Sequence, residues 1–242
     1  MIALRRANRR HHDRRNGQHG WHTFFPDEGP DAGAGGFGVL EGLNEHWLPP
    51  GTSVPRRPSG DSEALTYVHE GALAQEDSLG RSGVVQTGEF QRMTVRRRIR
   101  HKEANASRTE RAHVYQLWLR QAEAGLDQSY EQRRFSTADR RGVLCVVASP
   151  DGRRGSLRIH PDVLVYSTLL DVGQHVIHEL GQGRRAWVHV VRGEVMLGDA
   201  VLVAGDGAGV SGERAVSLTA RQGAEVLLLD IEAEPPEPTK IA

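Results

Sequence analysis

Apolar and polar residues alternate with a period of two over short runs, and the spacing of a helix face is scarce. Successive side chains on a strand point to opposite faces, so the alternation predicts half-buried strands. Candidate strands are Gly36–Leu43, Ala64–Glu70, Val84–Gln86, Phe90–Val95, Ala112–Leu119, Leu144–Ala148, Leu157–Ile159, Leu164–Leu170, Gln174–Glu179, Arg185–Val191, Glu194–Leu197, Ala200–Val203 and Val226–Asp230. Turn sequences separate them, including Asp77-Ser78-Leu79-Gly80, Gln86-Thr87-Gly88-Glu89, Asp151-Gly152 and Arg192-Gly193. The chain reads as all-β.

Its two halves resemble each other. Tyr67-Val68-His69-Glu70-Gly71-Ala72-Leu73 parallels Val190-Val191-Arg192-Gly193-Glu194-Val195, a strand running through a glycine turn into a second strand. Gly-rich segments follow in each half, Thr87-Gly88-Glu89 and Ala204-Gly205-Asp206-Gly207; Gly193 and Gly205–Gly209 read as turn glycines. The repeat predicts two copies of one β-barrel, residues 1–131 and 132–242. The polar, Arg-rich stretch Gln132–Arg141 is the expected bridge, and Met1–Arg15 and Glu232–Ala242 are expected as edge or loosely ordered segments.

Charge narrows the function classes. Thirty-one basic residues balance thirty-one acidic ones, so no global field favours nucleic acid or a membrane surface. No apolar run approaches the ~20 residues of a membrane span. The arginine-rich start lacks the apolar stretch of a secretory signal, and the sole cysteine, Cys145, reads as a small buried hydrophobe. A cytoplasmic, monomeric protein is expected. No P-loop, dinucleotide-binding glycine motif, Cys-x-x-Cys or G-x-S-x-G occurs.

Candidate chemistry concentrates in Ile99-Arg100-His101-Lys102-Glu103. His101 and Glu103 stand two apart in a strand-like run and therefore share a face. An imidazole beside a carboxylate suits a divalent transition metal, but such a site needs about four protein ligands, or three and a water.

The order of further motifs resembles the pirin family, specifically the bacterial bicupins of the quercetin 2,3-dioxygenase type. The matching residues are Trp21-His22-Thr23-Phe24, Asp61-Ser62-Glu63-Ala64-Leu65-Thr66-Tyr67, Gly88-Glu89-Phe90-Gln91-Arg92-Met93 and Asp77-Ser78-Leu79-Gly80. They continue through Ile99 to Asn105, His113-Val114-Tyr115-Gln116-Leu117-Trp118 and Tyr130-Glu131-Gln132-Arg133-Arg134-Phe135. The resemblance implies a bicupin, two tandem barrels of the double-stranded β-helix type packed together. It also implies one divalent metal, such as iron, held by three histidines and a glutamate in the first barrel, and no metal in the second.

At the position of the family's paired ligand histidines this chain reads Arg57-Pro58-Ser59-Gly60-Asp61-Ser62-Glu63. Arg57 and Ser59 thus occupy two ligand positions, while His101 and Glu103 keep the other two. A guanidinium only donates and cannot be deprotonated, so Arg57 cannot ligate a cation. At 4 Å and an effective dielectric near 20 it repels each unit of positive charge by about 4 kcal/mol. Arg57 is instead expected to pair with Glu103, and no metal is expected to bind stoichiometrically.

Arg96-Arg97-Arg98 precede the motif, and alternation aligns Arg97 with His101 and Glu103. Arg57, Arg97 and His113 are the candidate pocket or anion-binding residues. His69 and His113 are the candidate surrogate ligands, each with packing or hydrogen bonding as the preferred role. The leading reading is a pirin-like bicupin that has lost metal-dependent catalysis and binds a protein partner or a small aromatic or anionic ligand. One alternative is a quercetin 2,3-dioxygenase with Glu103 as base. Another is a small-anion or organic-acid binder using Arg57, Arg97 and His101.

Overall fold

The computed structural model describes residues 1–24, 35–55, 62–78, 80–95, 101–121 and 126–233. The first half holds β1 (Ile2–Arg5), β2 (His11–Arg15), β3 (Gln18–His22), β4 (Leu40–Leu48), β5 (Ser62–Glu70), β6 (Ala72–Asp77), β7 (Ser82–Gln86), β8 (Glu89–Val95), β9 (His101–Asn105), β10 (Ala112–Arg120) and β11 (Tyr130–Arg134). A short α-helix, α1 (Thr137–Arg140), leads into the second half. There follow β12 (Cys145–Ser149), β13 (Leu157–Arg158), β14 (Val163–Leu170), β15 (His175–Glu179), β16 (Arg184–Arg192), β17 (Glu194–Leu197), β18 (Ala200–Val203), β19 (Gly207–Val210), β20 (Ala215–Ala220) and β21 (Ala224–Glu232).

Each half is a barrel with one large and one small sheet. In the first, the order β11-β8-β5-β10-β4-β3-β2 is closed by β7-β6-β9; in the second, β1-β19-β16-β21-β14-β12-β13 is closed by β15-β20-β17-β18. The repeat seen in the sequence is a structural one. Gly71 and Gly193 both take φ near +80°, and a Cβ on either would meet the carbonyl that precedes the strand alongside, Arg111 O at 2.7 Å and Gly223 O at 2.2 Å. Gly88 N donates to Val68 O and Gly205 N to Val190 O, each at 2.8 Å, so the following turns correspond too.

Residues 1–15 form edge strands, the first of the two alternatives expected for them: β1 pairs with β19 of the far barrel, and β2 pairs with β3. β1 is largely exposed and carries no alternation in burial, because it is held by backbone pairing. The bridge Gln132–Arg141 begins as β11, paired with β8, so the expected 131/132 boundary falls inside a strand. The glycines read as turn residues also divide. Gly205 is a left-handed turn residue, but Gly207 and Gly209 lie within β19, where a Cβ would come within 2.4 Å of the Trp187 ring and 2.6 Å of Phe37.

The two large sheets pack face to face. Leu43, Leu65, Tyr67, Phe90, Tyr115 and Leu117 from one side meet Val147, Val165, Trp187, Leu227 and Leu229 from the other. Half-buried Cys145 packs against the same cluster. Through this apolar layer run polar clamps. Glu225 of β21 accepts from Tyr67 Oη at 2.5 Å and from Arg140 Nη1 at 2.8 Å, and its other oxygen lies 3.3 Å from His69 Nδ1. Glu63, fully buried, lies 2.9 Å from His160 Nδ1 of the second half and 3.4 Å from Arg92 Nε. Glu45 is held by His113 Nε2 at 2.9 Å and Arg10 Nη1 at 2.7 Å, on the arm that reaches the second barrel.

Removing one partner of a buried pair strands the other charge, whereas replacing both with apolar groups does not. Arg140→Met and Glu225→Ala should each lower unfolding free energy by about 3–5 kcal/mol in urea titration, with the double variant R140M/E225L recovering much of the loss. Single losses below about 1 kcal/mol would remove the clamp from the account.

The His113 and Arg10 partners hold the Glu45 carboxyl at about 2 against its usual 4.5, outweighing the burial that pushes it up. A depressed carboxylate stabilises the fold above its unfolded value, so roughly 3 kcal/mol should be present above pH 4.5 and lost as pH falls towards 2. Glu45→Gln should flatten that acid limb in pH-dependent unfolding. An unchanged limb would contradict the assignment.

Candidate functional site

Side chains of the first barrel's interior sort into two ends. Leu48, Val68, Leu73, Val85, Ala112 and Val114 form an apolar plug at one end. At the other, register aligns a buried polar row across the large sheet, Gln91–Thr66–Gln116–Asn44. The second barrel has no such row. Its interior is filled by residues such as Val188, Val190, Val195, Leu202, Leu218 and Leu228.

β9 faces this polar end. Its pairing with β6 puts Glu103 opposite Gln75 and His101 opposite Asp77, so His101 and Glu103 share a face as the spacing predicts. Gln116 Nε2 donates to Glu103 Oε2 at 2.7 Å. Burial pushes the Glu103 carboxyl above its usual range, and the Gln116 hydrogen bond only partly opposes the shift. Half-buried His101 has Nε2 3.3 Å from the Gln128 amide nitrogen, which also donates to Asp77 Oδ2 at 3.3 Å. These groups border a cavity of about 20 Å³, beside Met93 and Tyr130, with room for about one water.

The donor set of the described residues does not by itself make up a four-ligand metal site. Among the described residues no three His, Cys, Asp or Glu side chains converge. His101 and Glu103 each address a glutamine amide, a hydrogen-bonding arrangement for an imidazole and a carboxyl group. Arg57, Ser59 and Arg97 lie outside the described residues, and so does the expected Arg57–Glu103 pair. From Pro49 to Ser62 the sequence holds no histidine and no cysteine.

Neither surrogate histidine reaches the site. His113 lies on the face of β10 opposite to Gln116, and His69, where a bulge interrupts the β5–β10 register, also turns towards the other barrel. His69 faces Glu225, and His113 bonds to Glu45 and stacks on Trp47 with ring centroids 4.1 Å apart. His113, expected as a pocket residue, is therefore an interface residue of the large sheet.

Sequence reasoning missed Gln116, Gln128 and the row Gln91–Thr66–Asn44. Alternation within β10 could have marked Gln116, a polar residue between Val114 and Trp118 at interior positions. It missed His46 as well, which is buried on β4 beside His22 with its ring pushed down to about 4 by burial first and by His22 next.

Residues 8–119 match the family model described as Pirin, and residues 146–231 match the model of the quercetinase C-terminal cupin domain. A quercetin 2,3-dioxygenase of Escherichia coli strain K12 is 38% identical over 231 residues, spanning 96% of this chain and 99% of that protein. A pirin-like protein of Caulobacter vibrioides is 31% identical over 217 residues, spanning 88% of this chain and 93% of that protein. The crystal structure of YhhW from Escherichia coli superposes with a TM-score of 0.90 at 38% identity, over 97% of this chain and 99% of that one. A nickel(II) complex of the bacterial pirin YhhW superposes with a TM-score of 0.87 at 38% identity, over 97% of this chain and all of that one.

Among the described residues Gln116 is the polar partner of the Glu103 carboxyl. Gln116→Ala should therefore cost about 1–3 kcal/mol in urea unfolding at neutral pH, the cost of a buried group left without its hydrogen bond. A change within about 0.5 kcal/mol would mean that the bond carries no stability.

Proposed function

The chain belongs to the pirin family, and from that premise we propose that it is a bicupin without metal-dependent dioxygenase activity, acting as a binding or regulatory protein. The observation that carries the reading is the donor set. His101 and Glu103 are the two family ligands kept, Arg57 and Ser59 stand at the other two, and the described residues supply no replacement histidine. Two protein ligands fall short of the three or four that a tightly held transition metal uses. A guanidinium at a ligand position adds a repulsion that a divalent ion feels twice over. With this reading go a monomeric, cytoplasmic state and a partner that is either a protein or a small aromatic or anionic molecule.

A second reading is favoured by the relatives. The Escherichia coli protein at 38% identity is a quercetin 2,3-dioxygenase, and YhhW has been crystallised with nickel(II). In that reading the chain is itself a quercetinase, with Glu103 as general base. Its burial-raised carboxyl suits a proton acceptor working nearer to neutral pH.

Elemental analysis of protein produced with added nickel or iron separates the two, alongside flavonol absorbance during incubation with quercetin and each divalent metal. The proposal predicts metal far below one equivalent and an unchanged spectrum. The variant R57H/S59H, which restores the family's ligand types, should gain close to one equivalent. Stoichiometric metal in the unaltered protein, lost in His101→Ala, or metal-dependent quercetin consumption would overturn the proposal in favour of the second reading.

A further inference from the structure

We propose that the cleft between the two barrels is a second ligand site, which takes a small organic carboxylate with an apolar body. The cleft is about 280 Å³ and opens on the side of α1. That volume lies at the small end of ligand pockets. Both barrels line it: Tyr67 and His69 project into it from β5, on the face opposite to Thr66 and Val68 that look into the first barrel. The site is thus separate from His101 and Glu103, and its existence does not depend on whether a metal binds there.

The charges in the cleft point to an anion. Its floor is Glu225, whose carboxylate is already satisfied from within by Tyr67, Arg140 and His69 and has no need of an outside cation. Arg140 is about 95% buried; its Nη1 serves Tyr67, Ser167 and Glu225, and its Nε is buried without a partner. At the rim, Arg141 is matched by Asp171 at 3.0 Å in an exposed pair that exchanges readily with solvent. Arg192, also at the rim, is exposed and makes no ion pair among the described residues. With Arg140 matched by Glu225 and Arg141 by Asp171, Arg192 leaves the cleft one positive charge in excess.

Leu169 and Ala224 supply an apolar wall beside these guanidinium groups. A planar guanidinium holds a carboxylate through two parallel N–H···O bonds, and the apolar wall shelters a hydrocarbon or aryl body. A bare inorganic anion would use the fork and leave the wall in water, so the cleft should discriminate against it.

The test uses the full chain with benzoate as the probe and inorganic phosphate as the comparator, followed by amide chemical shifts and calorimetry. Saturable benzoate binding with Kd near 1 mM is expected. Shifts should fall at Arg141, Leu169 to Asp171, Arg192 and Gly223 to Glu225. Phosphate should bind more weakly. Arg192→Ala, an exposed change outside the clamp, should leave the melting temperature unaltered and weaken benzoate by about tenfold, and Arg192→Lys should recover part of the loss. Glu103→Gln should leave benzoate affinity unchanged.

Absence of saturable binding, undiminished affinity in the variant R141A/R192A, or phosphate binding at least as tight as benzoate would overturn the proposal. So would shifts confined to the first barrel and lost in Glu103→Gln. None of these outcomes bears on the metal content of the protein.

Discussion

Arg140 and Glu225 meet as a buried ion pair at the floor of the cleft between the barrels, and the relation between the barrels follows from how that pair is satisfied. Glu225 belongs to the second barrel and Arg140 to the helix that joins the two, while Tyr67 and His69 approach from the first. A buried carboxylate is tolerable only when its lone pairs are filled. Four side chains from three parts of the chain must therefore arrive together. Stacked aromatic rings around them, with Tyr67 and Phe90 at 4.3 Å, supply the apolar area that makes the layer cohesive. The facing sides of both large sheets supply most of this contact and leave the cleft beside α1 open.

Inside, the barrels have diverged from a shared plan. Their glycine turns, large-sheet strand orders and paired hydrogen bonds correspond, yet the second interior is mostly apolar, with Asp230 and Thr168 among its few buried polar groups, and the first is half polar. A polar row of Gln91, Thr66, Gln116 and Asn44 has no packing advantage over leucine and valine. One member of the row, Gln116, donates to Glu103. Glu103 illustrates the consequence. In a four-ligand site the cation would hold a buried glutamate ionised, whereas here a neutral amide is its partner and the carboxyl is pushed towards its protonated form.

Much of the fold was legible because barrels repeat and strands alternate. The likeness around Gly71 and Gly193 marks the two equivalent turns, where only glycine clears the neighbouring carbonyl. What alternation could not show was any strand held by its backbone alone. β1 is exposed along most of its length, β11 is polar, and β19 is written in glycines that make room for Trp187 and Phe37. The site was half legible. Spacing correctly aligned His101 with Glu103, and β9 pairs with β6 accordingly. Burial and polarity alone could not say which face His113 occupies; that needed the strand's parity, which places it with Tyr115 against the other barrel.

Catalytic identity in this family rests on a few donor atoms carried by a scaffold far larger than the site. Close overall similarity to YhhW therefore shows the fold and the family, and the proposed exchange of two donors is a separate question of local chemistry. The most direct measurement is anomalous diffraction at the nickel absorption edge from crystals grown with nickel(II). The account predicts no anomalous peak within coordination distance of His101 Nε2 and the Glu103 carboxylate, with Gln116 still donating to Glu103. A strong peak there, with Gln116 displaced from the carboxylate, would contradict it.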